Sequence, residues 1–267
     1  MDFWERLSKD SLYLDQTEKR LEVDRLQVEQ FYLPLAEYLI AHLENQARLV
    51  IGVAGPPGCG KSAFSALLAA VINARTAQDI PCQDTASVVG MDGWHFPNTY
   101  LDHHTILRSG KMVLLRSIKG APETFDAQAM LTCLESIRQG GTVDYPVYSR
   151  RLHDPIPNGG QIRFNHRFVI VEGNYLFLNE PPWDAFRPSF DVRIFVTASL
   201  QAIQAGLLER HLRGGKAPEP AQRHIQEVDL PNAERVLSGS IPAAIVVHKL
   251  DSKVIQSMDW LEIPPLA

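Results

Sequence analysis

The string VAGPPGCGKSAF, residues 53–64, carries the most specific chemistry in the chain. It follows the pattern glycine, four residues, Gly-Lys-Ser through Gly55, Pro56, Pro57, Gly58, Cys59, Gly60, Lys61 and Ser62, with Ala63 next. Glycines at these places let the backbone turn tightly, so that successive N–H groups converge on phosphate oxygens. A helix beginning at Lys61 points its positive end at the same spot. Lys61 is then placed for the β- and γ-phosphates of ATP, and the Ser62 hydroxyl for Mg2+. Cys59 reads as a small loop residue, because nothing beside it in sequence supplies a redox partner.

Two carboxylates stand where apolar runs end. VVGMDGWHFPN delivers Asp92 and VIVEGNYLF delivers Glu172. Open α/β sheets bind ligands at the carboxyl ends of their strands. There one carboxylate can accept the proton of an attacking hydroxyl, and a second can hold Mg2+ directly or through water. Asp-Gly is also a common turn pair, and Glu172 could be a structural ion-pair partner; both simpler readings stay open here. VDYPVYSRRLHDP (143–155) adds Tyr148, Arg150 and Arg151. An arginine fork suits an acceptor carboxylate or phosphate, although such a pair can equally be a solvated loop. His103, His104, His153 and His166 have no zinc-like spacing with cysteine.

These residues need a scaffold. RLVIGVAG (48–55) reads as a buried parallel strand entering the glycine loop, and KSAFSALLAAVIN (61–73) as the helix leaving it. Further strands are expected at 87–92, 167–173, 191–196 and 243–250, with helices at 126–139 and 199–212. Asp126 is expected to cap the first of these helices. The alternation predicts a mostly parallel sheet with helices on both faces. Residues 17–45 carry helical spacing with a break expected at Pro34, either packed on the main domain or mediating dimerisation. The organisation expected is a helical N-terminal extension over 1–46 and a kinase domain over 47–267. Within it, residues 93–163 face the acceptor and 210–220 form a lid.

The 267 residues are 45% hydrophobic and 21% charged, with a formal net charge of −5. That balance excludes a broad basic face for nucleic acid or anionic membrane. No run reaches the roughly 18 apolar residues of a spanning helix. The three cysteines show no paired spacing, which predicts a reducing, cytoplasmic setting. The chain lacks the Asn-Lys-x-Asp reader of regulatory GTPases and a complete transport-ATPase signature. Those absences favour a small-molecule kinase.

MDGWH (91–95), KGAPETFD (119–126) and EGNY (172–175) resemble strings of the uridine kinase, phosphoribulokinase and bacterial pantothenate kinase group. The likeness is strongest to its nucleoside/nucleotide kinase-like, or fructose-transport-kinase-like, branch. PVYSRRLHDP resembles the Pro-Val-Tyr-Ser-His segment of pantothenate kinases, with Arg150 where those enzymes carry His. The resemblance implies a P-loop NTPase fold with ATP and Mg2+ as cofactors. It implies Asp92 as catalytic base, Glu172 at the magnesium site, Tyr148 and Arg150 lining the acceptor pocket, and His95 near the acceptor hydroxyl. It also implies Arg210 and Arg213 in a lid over the triphosphate, and the glycines after Arg213 suit a moving segment. A helix ended by glycine, with basic residues in its last turn, reads the same way.

The expected activity is transfer of the γ-phosphoryl group of ATP to a hydroxyl of a nucleoside, pantothenate-like or sugar acceptor. A phosphate-acceptor (nucleotide) kinase and a nucleotide-gated binding protein without turnover are the alternatives. The expected partner is a small molecule, with a homodimer possible.

Overall fold

Every residue of LVIGVA, Leu49–Ala54, is buried, as a strand covered on both faces requires. In a computed structural model this strand, β1, lies inside a six-stranded sheet; the structure describes residues 2–9, 23–43, 46–77, 84–108 and 110–261. Counting along the chain, the sheet also contains β2 (Ala86–Gly90), β7 (Phe168–Gly173), β8 (Val192–Ala198), β9 (Ile245–Lys249) and β10 (Ile255–Trp260). Their order across the sheet is β10-β9-β8-β1-β7-β2, all parallel except β10, which runs antiparallel to β9. The expected strands are present within a few residues. β10 and two separate hairpins were not among them. One hairpin joins β3 (Thr105–Arg108) to β4 (Lys111–Leu114), and the other joins β5 (Val143–Ser149) to β6 (Asp154–Ile162).

Two apolar clusters cover the sheet. One gathers Ile51, Val53, Phe64, Leu68 and Ile170 with Leu7, Val28, Leu35 and Leu39 from the N-terminal helices. The other gathers Val50, Val89, Val171, Met130, Leu134, Tyr175 and Trp183. Alternate residues of β1 therefore feed opposite layers, which is the strand period at work. The helices are α1 (Phe3–Lys9), α2 over residues 25–42, α3 (Lys61–Thr76), α4 (Ala127–Arg138), α5 (Leu200–Arg213) and α6 over residues 218–239. Asp126 caps α4 by accepting from the Ala129 N–H, and Ser199 caps α5 by accepting from the Ala202 N–H.

Pro34 does not break its helix. A π-turn over Val28–Tyr32 precedes it, with the Leu33 N–H reaching the Val28 carbonyl. The wider turn removes the demand for the N–H that proline lacks. The same device recurs in α6, where a π-turn over Ile225–Asp229 precedes Pro231. The Gln27 side chain bonds both the N–H and the carbonyl of Ile255, tying α2 to the end of β10. Residues 10–22 of the N-terminal reading, and Cys82, lie outside the described residues.

Candidate active site

The glycine loop sits between the end of β1 and the start of α3. Gly58 and Gly60 both have φ of 85°, a left-handed conformation that other residues adopt only under strain. A side chain would also collide with neighbours: a Cβ at Gly60 would lie 2.1 Å from the Ser252 carbonyl oxygen, and one at Gly58 would lie 2.7 Å from that of Ile203. The loop is thus wedged against α5 and the β9–β10 turn. Cys59 is fully buried, and burial pushes its thiol up, so it is a packing residue rather than a nucleophile. Lys61 opens α3 and is buried as well.

Because β1 and β7 are neighbours, Val53 faces Glu172 across the ladder. The Ser62 hydroxyl, in the first turn of α3, donates to Glu172 Oε1 at 3.0 Å. Glu172 is buried. A hydroxyl and a carboxylate side by side form the hard-oxygen pair that suits Mg2+.

β2 ends at Gly90, and Asp92 lies in the following 3-10 turn, Met91–Trp94. Gly93 lets the β5 backbone approach this turn, and that contact brings Tyr148 and Arg150 to Asp92. The Arg150 guanidinium lies 3.9 Å from Asp92 Oδ2, and the Asp92 side chain remains 41% accessible. Loss of water opposes ionisation of Asp92, but the neighbouring His95 ring and the charges of Arg150, Lys61 and Arg210 outweigh it and hold the carboxyl below its ordinary value. It is therefore an ionised acceptor at neutral pH. His95 is buried between the rings of Phe125 and Tyr148, at 3.9 and 5.1 Å between centroids. Its Nδ1 lies 2.9 Å from the Asp92 carbonyl oxygen. Burial lowers the His95 pKa against the pull of Asp92, which favours a neutral ring.

The two arginines of α5 part company. Arg210 contacts Asp229 at 3.3 Å, and its charge reaches Asp92. Arg213 pairs with Glu209 within the exposed last turn of its own helix. His211 Nε2 bonds Asp229 Oδ2 at 2.6 Å, so Asp229, in the π-turn of α6, ties α5 to α6. Arg151 is exposed.

Several residues at the site gave no readable signal. Lys119 and Arg116 converge on Asn98, close to Tyr148. Glu123, within KGAPETFD, accepts from Arg235 at 2.8 Å, and Arg235 also pairs with Glu180. The string KGAPETFD runs back along WHFP: the Asp126 N–H donates to the Trp94 carbonyl and the Phe96 N–H to the Thr124 carbonyl.

Residues 50–213 match the model of the phosphoribulokinase / uridine kinase family. The chain belongs to that family. This member is 32% identical over 224 residues to the uncharacterized protein YggC of Escherichia coli K12, covering 83% of this chain and 87% of that protein. It is 36% identical over 166 residues to a pantothenate kinase of Streptococcus pneumoniae, covering 61% of this chain and 49% of the enzyme. A solved structure described as a "putative fructose transport system kinase" from Silicibacter superposes with a TM-score of 0.68 at 30% identity, over 79% of this chain and 96% of that one. As a member of the phosphoribulokinase / uridine kinase family, the protein is an ATP-dependent small-molecule kinase with a hydroxyl as acceptor. No helix among the described residues is long and apolar enough to cross a membrane.

Proposed function

We propose that Asp92 receives the proton of the acceptor hydroxyl as that oxygen attacks the γ-phosphorus of ATP. The observation that carries this reading is the ionised, accessible Asp92 carboxylate, set among cations beside the glycine loop. The loop from Gly55 to Ala63 holds the nucleotide phosphates through the backbone N–H groups of its non-proline residues, and Lys61 sets its charge against the group being transferred. Ser62 and Glu172 hold Mg2+, which neutralises phosphate charge when bound. Arg210 adds positive charge from the α5 side, where residues 210–220 form a lid, while Arg213 remains a helix-end charge.

Tyr148 and Arg150 form the acceptor wall, and residues 93–163 supply that side of the site. His95 acts as a neutral spacer that fixes the Asp92 turn through its bond to the Asp92 carbonyl.

Asp92→Asn keeps size and much of the hydrogen bonding but loses the charge and the basic oxygen. ATP affinity measured by titration should stay near wild type, while acceptor phosphorylation falls by about 10²–10⁴-fold. The lower end is expected, because the loose transition state of phosphoryl transfer asks little of a base. Full transfer by a folded Asp92→Asn protein would remove Asp92 from the reaction.

A further inference from the structure

His211, His224 and Asp229 come together from two helices. Among the described residues they are the one cluster of three possible metal ligands drawn from His, Cys, Asp and Glu. A ligand atom of each lies within 4.8 Å of the other two. His211 stands in the last turn of α5, while His224 and Asp229 belong to α6.

Their convergence has a local cause. At 3.6 residues per turn, positions five apart on an α-helix face different ways. The π-turn over Ile225–Asp229 widens the repeat to i→i+5, which carries Asp229 round to the side of His224. The His211 ring meets both. Its Nε2 lies 2.6 Å from Asp229 Oδ2, and its centroid lies 5.1 Å from that of His224, with the rings at 82°. Asp229 is buried and the two histidines are half-buried, so one side of the cluster stays open to solvent.

The surrounding charges leave room for a metal. A carboxylate accepts and an ammonium donates, so the His211 ring carries its proton on Nε2, toward Asp229. It offers Nδ1 to Lys216 Nζ at 3.4 Å. A metal at Nε2 takes the place of that proton, which moves to Nδ1. Lys216 must then turn away. It is exposed and follows Gly214 and Gly215, the second at φ 84°, so it can swing to solvent. Arg210 contacts Asp229 Oδ1 at 3.3 Å, which leaves Oδ2 for the metal and orients the carboxylate as an outer partner does.

Two imidazole nitrogens and one carboxylate oxygen suit Zn2+, Co2+ or Ni2+; Mg2+ prefers six oxygens. Zn2+ commonly takes three protein ligands and a water. With bonds of about 2.0–2.2 Å it spans ligand atoms up to about 4 Å apart, so a small rotation of the side chains closes the set.

We propose that His211, His224 and Asp229 bind a divalent transition metal of the zinc type, bridging α5 to α6 and keeping a fourth position for water. The site is separate from the Ser62–Glu172 oxygen pair and does not rest on the reading of Asp92. A metal held here closes residues 211–224 into a loop, so it also restrains most of the segment proposed as a lid.

The test is a calorimetric titration of the chelator-stripped full chain with Zn2+, with Mg2+ in excess. One Zn2+ per chain is expected, and Tm should rise with Zn2+ concentration. His211→Ala and His224→Ala should each weaken binding by about 10²-fold or more. His224→Ala removes only a half-buried ring, so its metal-free Tm and circular dichroism should stay near wild type and show that it folds. Lys216→Ala should bind Zn2+ more tightly, because the ammonium no longer competes for the His211 ring. NMR of the histidine rings should show His211 and His224 shifting most as Zn2+ is added. Absence of Zn2+ binding by wild type overturns the proposal, as does binding that both histidine variants retain. Displacement of Zn2+ by Mg2+ at equal concentration, or shifts confined to other histidines, would do the same.

Discussion

Gly93 and Pro146 are in backbone contact: a Cβ at Gly93 would lie 2.0 Å from the Pro146 carbonyl oxygen. That contact holds the β5–β6 hairpin against the turn carrying Asp92, so the acceptor wall and the proposed base share one joint. Gly93→Ala should force the two apart. Overpacking of this kind costs about 1–3 kcal/mol. At roughly 2–4 °C per kcal/mol, a drop in Tm of several degrees is expected by thermal denaturation, together with a raised acceptor KM and an unchanged ATP KM. A variant with wild-type Tm and acceptor KM would show that the hairpin is not held there.

Glu172→Gln tests the metal assignment. The amide oxygen can still accept from Ser62, so the local packing survives, but the negative charge is gone. The Mg2+ concentration giving half-maximal turnover should rise by about tenfold or more. An unchanged Mg2+ dependence in a folded variant would leave Glu172 a structural partner of Ser62.

Arg210 and Arg213 are separable. Arg210→Ala removes a charge felt at Asp92 and should lower kcat by on the order of 10²-fold, with a smaller effect on ATP affinity. Arg213→Ala breaks an exposed pair within one helix turn, worth about 0–1 kcal/mol, and should leave kcat within about twofold. Steady-state kinetics of the two single variants decide it, and equal losses would contradict the distinction.

Asp229 gives a pH signature. Its burial disfavours the charged form, but the His211 hydrogen bond and the charges of Arg210 and the histidines prevail and hold its pKa below the ordinary carboxylate value. A depressed folded pKa contributes stability that is present above the unfolded value, about 3.9, and is lost as pH falls through the folded one. Asp229→Asn should therefore be less stable than wild type near neutrality, by about 1.5–3 kcal/mol for a charged hydrogen bond. The difference in Tm should shrink as pH falls below about 4. A gap that stays constant across the titration would count against the linkage.

What could be read without coordinates was what is local. The glycine loop, its strand and its helix are contiguous, and the apolar runs preceding Asp92 and Glu172 report their own strands. The carboxylates could be placed at the carboxyl edge because parallel sheets put their chemistry there. What could not be read depends on the chain returning to itself. Lys119 meets Asn98 only because 119–126 folds back along 94–98, and no periodicity encodes that. Glu123 meets Arg235 across 112 positions of sequence. The division between Arg210 and Arg213 is equally invisible in LLERHLRGGK, since it depends on Asp229 arriving from α6. Pro34 misled for a related reason: proline signals a break, but the π-turn that accommodates it has no sequence mark.

The residues proposed for the acceptor side, His95, Tyr148 and Arg150, all fall in the single stretch of chain between β2 and β7. Those proposed for the phosphates and Mg2+ lie outside it, in the loop between β1 and α3, on α3 and on β7. One contiguous segment can therefore be rewritten, or exchanged between relatives, without disturbing the machinery that handles the nucleotide. Within such a lineage, the choice of acceptor can drift while the reaction is inherited intact. A graft of residues 93–163 from a relative of known acceptor would be the natural unit of redesign.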